Sequence, residues 1–135
     1  MNARFQIAIH ILTLLDHADG EVLSSDYMAG SLNTNPALVR KEISNLRNHG
    51  LIDSKEGKGG GYTLSLSADK ITLDMIYRTV KTGPLLGSSK NQPNPACPIG
   101  RQIGGQIGKL YDEVDHEILT KLSTITLAEF SRNFD

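Results

Sequence analysis

The sequence predicts a mainly α-helical protein with a small β-hairpin wing: a winged helix-turn-helix followed by a long C-terminal dimerisation helix. Three observations predict it. The stretch Gly57-Lys58-Gly59-Gly60-Gly61-Tyr62 lies between two short strand candidates, Leu51 to Lys55 and the segment from Tyr62 onward. A helix with a strong start, Asn35-Pro36, stands just before the first of them. Near the C-terminus, apolar residues recur at helical spacing from Ile99 to Leu122.

Residues 2–18 read as the first helix. Phe5, Ala8, Leu12 and Leu15 form one apolar stripe, and Ile7, Ile11 and Leu14 a second beside it, so more than one neighbour must cover this helix. Gly20 lies where a stop is expected. Ser24 is suited to cap a short second helix, with Asp26 in the first turn where the helix dipole favours an acid. Tyr27, Met28 and Leu32 supply its apolar side.

The third helix opens on Asn35 as N-cap and Pro36 as first helical residue. Val39, Ile43 and Leu46 share a face that must enter the core, which leaves Ala37, Arg40, Lys41, Ser44 and Arg47 on the opposite face. Gly50 ends the helix. The Asn33-Thr34 turn before it is short enough to hold the second and third helices at a steep angle, as in a helix-turn-helix.

In the wing, Tyr62, Leu64 and Leu66 alternate with Thr63 and Ser65, which predicts a strand with one buried face. A hairpin of two strands is marginal in water and must lean on the helices. Its glycine-rich tip allows close backbone approach to a bulky partner, and Lys58 suits a phosphate. Thr72 caps a fourth helix with Leu73, Ile76, Tyr77 and Val80 inward, ending near Gly83-Pro84. Residues 83–98 are rich in Gly, Ser, Asn and Pro and read as an irregular loop.

From Ile99 a long helix carries Ile103, Ile107, Leu110, Val114, Ile118 and Leu122 on one stripe. Gly100, Gly104 and Gly108 recur every fourth residue along it. Each costs a helix about 1 kcal/mol relative to alanine, so a compensating close approach by another backbone is expected, with Ile103, Ile107, Leu110, Val114 and Ile118 as a homodimer interface. Thr126 and Glu129 have the spacing of a capping box and open a short final helix through Phe130. The chain thus divides into a reading head (1–82), a sensor loop (83–98) and a helical arm with its closing helix (99–135).

Bulk properties narrow the function. The chain has 135 residues, 39% of them hydrophobic, enough for one domain with a real core. No apolar run approaches the roughly 18 residues of a membrane span, and the first 20 residues lack a cleavage pattern. A cytoplasmic protein without membrane partners is expected. Net charge is −1, yet residues 33–62 carry Arg40, Lys41, Arg47, Lys55 and Lys58 against Glu42, Asp53 and Glu56, a local excess of +2. His10, His17, His49 and His116 are scattered without metal-site spacing. The glycine run lacks the lysine-serine ending and following helix of a phosphate-binding loop, so no enzyme motif is present.

The only cysteine, Cys97, cannot form an intrachain disulfide. With Pro98 opening the long helix it becomes the N-cap, where free amides stabilise a thiolate, and Arg101 lies one turn inward. It is the candidate redox-sensing residue, against the alternative of a passive thiol in a loop.

The helix Asn35-Pro36-Ala37-Leu38-Val39-Arg40-Lys41, the block Leu46-Arg47-Asn48-His49-Gly50-Leu51-Ile52 and the wing Gly57 to Leu64 together resemble the Rrf-type family of bacterial winged-helix transcription regulators. The resemblance covers nearly the whole chain, including the closing Thr126-Leu127-Ala128-Glu129 segment. It implies a homodimer, acting as a repressor on a near-palindromic operator in double-stranded DNA, with the third helix in the major groove and the wing at the minor groove or backbone. The DNA-binding residues so assigned are Ser24, Ser25, Asn35, Pro36, Ala37, Arg40, Lys41, Ser44, Arg47, Lys58, Gly59, Gly60 and Tyr62. Cluster-binding members carry three cysteines between the fourth helix and the dimer helix. One thiolate per subunit does not supply that ligand set, so neither cofactor nor metal is expected here. Cysteine-poor relatives sense oxidants through a thiol or respond through a partner protein, and the sequence names no small-molecule or protein effector. The alternative reading is a winged-helix interaction module that does not bind DNA.

Overall fold

Six α-helices and one hairpin run through residues 3–134, the part of the chain that the computed structural model describes. Helix α1 (Arg4–His17) is the central post. Ala8, Ile11 and Leu12 are wholly buried on it, because other helices and the hairpin pack around several of its sides. The predicted start at Asn2 lies outside the described residues. At its end Asp19 and Gly20 both take positive φ, 51° and 90°, and turn the chain back.

Helix α2 (Ser25–Leu32) starts where expected: the Ser24 hydroxyl accepts the Tyr27 N–H at 3.1 Å. Tyr27 itself departs from the expectation. It is 61% exposed, whereas Met28 and Ala29 are buried. Successive helical residues point about 100° apart, so a buried face centred on Met28 and Ala29 carries Tyr27 to the solvent edge. Asn33 ends the helix in the left-handed region at φ 54°, a conformation asparagine adopts readily.

Helix α3 (Pro36–Asn48) is capped by Asn35, whose Oδ1 accepts the Ala37 N–H at 2.7 Å. Val39, Ile43 and Leu46 are buried as their spacing predicts, each contributing about 1.5–3 kcal/mol by area removed from water. Glu42 is buried beside them and pairs with Arg4.

Strands β1 (Ile52–Lys55) and β2 (Gly61–Leu64) are antiparallel, with Ile52 opposite Leu64 and Lys55 opposite Gly61. Leu23 adds a third rung, since its N–H and carbonyl exchange bonds with Tyr62 at 3.1 and 2.9 Å. The predicted alternation along β2 is not expressed. Gly61 to Leu64 are all half-buried, and Leu66 is 38% exposed. The sheet is too narrow to bury one whole face, and the strand ends at Leu64 before the chain enters a 3-10 turn at Ala68–Lys70. At the wing tip, a Cβ on Gly60 would stand 2.1 Å from the Lys55 carbonyl oxygen, so only glycine fits there.

Helix α4 (Leu73–Val80) brings Leu73, Ile76 and Val80 inward, while Tyr77 meets Phe5 edge-on at 5.3 Å. The closing helix α6 (Leu127–Ser131) packs against α1, with Leu127 fully buried in the same core. Two backbone bonds sew it in: the Leu73 N–H to the Ile125 carbonyl at 2.9 Å, and the Leu127 N–H to the Ile71 carbonyl at 2.7 Å. Its predicted cap is present, the Thr126 hydroxyl accepting the Glu129 N–H at 3.0 Å.

Helix α5 (Pro98–Ser123) opens on Pro98 with Cys97 as its cap, as the sequence predicts. It lies against α4, tied by Lys81 Nζ to Asp115 Oδ2 at 2.9 Å. No residue of α5 is buried. Its four glycines are not alike. A Cβ on Gly100 would lie 2.6 Å from the Asn94 carbonyl oxygen, so the close approach expected there comes from the preceding loop of the same chain. Gly104, Gly105 and Gly108 meet nothing within 4 Å in the chain.

Candidate nucleic-acid interface

The turn from α2 into α3 and the step from α3 into the wing position the candidate residues. The Thr34 N–H returns to the Ala29 carbonyl at 3.1 Å, which closes α2 and aims the chain into the Asn35 cap. Ser24 and Asn35 are therefore the caps of the two helices, and Ser25, Pro36 and Ala37 form their first turns. A helix N-terminus presents free N–H groups and the positive end of its dipole. Both starts thus suit a phosphate contact.

Along α3 the burial of Val39, Ile43 and Leu46 forces Arg40, Lys41 and Arg47 outward, and all three are exposed. Ser44 is half-buried between them. Arg40 and Lys41 carry the exposed charge of the middle of this helix. Arg47 differs: its Nη1 donates to the Ser54 hydroxyl on β1 at 3.2 Å, which joins the end of α3 to the wing. At the tip Lys58 and Gly59 are exposed, and Gly59 has φ 77°. Tyr62 is half-buried, packs on the core and spends its backbone on Leu23, so its main work in the free chain is to seat the wing.

Sequence reasoning missed three contributors. Glu42 looked like one more charge on a polar helix, but its carboxylate is 3% exposed and held by Arg4. Leu23, before the cap of α2, gave no strand signal because a single bridge has no periodicity. Exposed Tyr27 stands one turn into α2, beside the Ser24 cap.

Elsewhere, Cys97 is exposed, and its Sγ accepts the Gly100 N–H at 3.4 Å as an N-cap should. Along α5, Ile99, Ile103, Ile107 and Leu110 leave 73%, 42%, 37% and 48% of their surface open. Val114 and Ile118 are half-buried. His17 reaches the Ser131 carbonyl at 2.9 Å, joining α1 to α6, and His49 bonds that of Asn45 at 2.8 Å. Among the described residues no helix is long and apolar enough to cross a membrane.

A basic recognition helix, a glycine-tipped wing and an appended long helix define the class: winged helix-turn-helix transcription regulators. The particular family follows from comparison. Residues 1–133 match the Rrf2 family, described as iron-dependent transcriptional regulators, and the chain belongs to it. YwnA of Bacillus subtilis, assigned as an HTH-type transcriptional regulator, is 33% identical over 129 residues, 96% of this chain and 95% of that one. The crystal structure of a protein from Lactobacillus plantarum, assigned as a transcriptional regulator, superposes with a TM-score of 0.79 at 26% identity, covering 98% of this chain and 90% of that one. A second crystal structure, described as that of a DNA-binding protein, gives 0.76 at 30% identity, with coverage of 94% and 97%. The first two are described as transcription regulators and the third as a DNA-binding protein, none of them as an enzyme.

The iron in the family's description does not fit the donors of this chain. It has one cysteine, and no three His, Cys, Asp or Glu side chains gather as a metal site among the described residues. An iron–sulfur cluster takes a set of thiolates, and Cys97 alone does not supply one.

Proposed function

We propose that the chain is a dimeric repressor of the cytoplasm that binds a near-palindromic operator, with its DNA affinity set by the oxidation state of Cys97. The single observation that carries the DNA reading is the division of α3: Val39, Ile43 and Leu46 in the core, and Arg40 and Lys41 free on the outer face. Helix α3 then enters the major groove, where Arg40 reads a base edge. Lys58 and the glycines of the tip reach the backbone or the minor groove. Ser24, Ser25, Asn35 and Ala37 offer their N-terminal amides and hydroxyls to phosphates.

Dimerisation through α5 is supported by the open stripe from Ile99 to Leu110, since exposed isoleucines in a row mark an interaction surface. The loop 83–98 joins reading head and arm, and Cys97 stands at that junction. Oxidation of its thiol to a sulfenic acid by peroxide, with release of water, would replace the cap that now accepts the Gly100 N–H. A shift at that cap would tilt the heads and change the half-site spacing that a dimer can span.

A gel shift against the DNA upstream of the chain's own gene tests the first part. Binding whose logarithm falls steeply and linearly with the logarithm of salt is the expected result. A folded protein with no binding to that DNA or to fragments selected from genomic DNA would make it an interaction module instead.

A further inference from the structure

The outer face of α3 is not uniform along its length. From Arg40 to Asn48 its exposed side chains are Arg40, Lys41, Arg47 and Asn48, each able to donate a hydrogen bond. Its first turn, Pro36-Ala37-Leu38, carries no side-chain donor or acceptor at all. Ala37 is exposed, and Leu38 leaves 38% of its surface open. The nearest polar side chain before them is Asn35, whose Oδ1 is engaged by the Ala37 N–H at 2.7 Å.

The place of Ala37 on the helix gives this turn a direction. Ala37 precedes buried Val39 by two residues, which carries its methyl about 160° round from that side chain. Lys41 and Ser44 follow on the same line, one and two turns on. Arg40 is three residues further along than Ala37, about 4.5 Å of helix. Neighbouring base pairs stand about 3.4 Å apart, so Ala37 comes over a base within about two pairs of the one that Arg40 meets. A recognition helix sets its N-terminal residues against base edges. The apolar group that marks a base in the major groove is the C5-methyl of thymine.

We propose that the first turn of α3 reads a thymine by its methyl group: the Ala37 methyl packs on it, and Leu38 shields the contact from water. A polar side chain there would recognise the hydrogen-bonding groups of the base pair. This turn has none and responds only to apolar surface and bulk, so it also favours 5-methylcytosine over cytosine at the same place. Helix N–H groups point along the axis and side chains away from it, so the contact leaves the phosphate contacts at the helix start in place. The inference names the specificity of the DNA-binding surface proposed above and rests on that reading.

The test uses the full chain and a duplex that it selects from random DNA. Each thymine of a half-site is replaced in turn by uracil, which removes the methyl and keeps every hydrogen-bonding group. One replacement should weaken binding by wild type about 3- to 5-fold, the worth of one methyl group taken out of water. At that position 5-methylcytosine should bind more tightly than cytosine by a similar factor. Ala37→Gly removes the other methyl and should bind the thymine and uracil duplexes alike. Ala37→Val works the opposite way: its added bulk meets the thymine methyl, so it should prefer uracil. Circular dichroism checks that both variants fold, and the valine variant decides if the glycine one does not. Wild-type binding that ignores every thymine methyl, or ignores the methyl of 5-methylcytosine, overturns the inference and leaves the regulator reading standing. So does a thymine preference that persists in the Ala37 variants, since another element then reads the methyl. A folded wild type that binds no DNA overturns the regulator reading and this inference with it.

Discussion

Arg4 Nε stands 3.1 Å from both carboxylate oxygens of Glu42, so the first turn of α1 holds the middle of α3 by a charged contact. The Glu42 side chain is 3% exposed and that of Arg4 31%. Glu42 follows Arg40 and Lys41 directly, so this pair fixes the rotation of the helix that presents them.

Removing one partner of this pair is expected to be worse than removing both. Arg4→Ala strands a buried carboxylate and should cost about 3 kcal/mol. Replacing the two together by Met, which packs without charge, should recover most of that loss. Urea unfolding of wild type, Arg4→Ala and the double Met variant measures it; equal losses in the single and double variants would mean the pair does not act as a unit.

Arg40 and Lys58 are expected to fail differently. If Arg40 is bidentate to a guanine, Arg40→Ala costs about 1–3 kcal/mol and relaxes specificity at one operator position. Lys58→Ala weakens all sequences alike and lowers the salt slope by about one. Titrations of the operator and of scrambled DNA across several salt concentrations separate the two. Wild-type binding by both folded variants would move the reading surface elsewhere.

The arm makes a pair of predictions. Ile107→Asp places an unpaired charge in the proposed seam and should give monomers in sedimentation. Gly104 meets open space within the chain, so Gly104→Ala distinguishes a free helix from a packed one. If nothing covers it, alanine should stabilise the helix by about 1 kcal/mol. If a partner backbone approaches, as proposed, it should weaken the dimer instead, seen as a raised dissociation constant.

Cys97 predicts the behaviour of the signal. Protein purified with or without air should be colourless, lacking the visible absorbance of a cluster. Peroxide should weaken operator binding by wild type and leave Cys97→Ser unaffected. Identical responses in the two proteins would make the thiol a bystander.

Much of this protein was legible in its sequence, for reasons that can be named. Caps and apolar spacing are local, and local rules placed Ser24, Asn35, Cys97 and Thr126 at helix starts where the structure has them. The spacing of Val39, Ile43 and Leu46 was enough to say which side of α3 is left for Arg40 and Lys41. The glycine run between two strand candidates was enough for the wing. Only the tertiary structure decided the pairings between residues far apart in the chain. Glu42 is buried because Arg4 arrives from 38 residues away, and no local pattern distinguishes such a glutamate from a solvated one. Leu23 joins the sheet because the fold brings it to the edge at Tyr62. Gly100 is required by the Asn94 carbonyl of its own chain. Leu127 is buried because α6, beyond the arm, returns to pack against α1. Periodicity reports what one segment needs to bury; which surfaces meet, and what space they leave between them, depends on packing that no single segment contains.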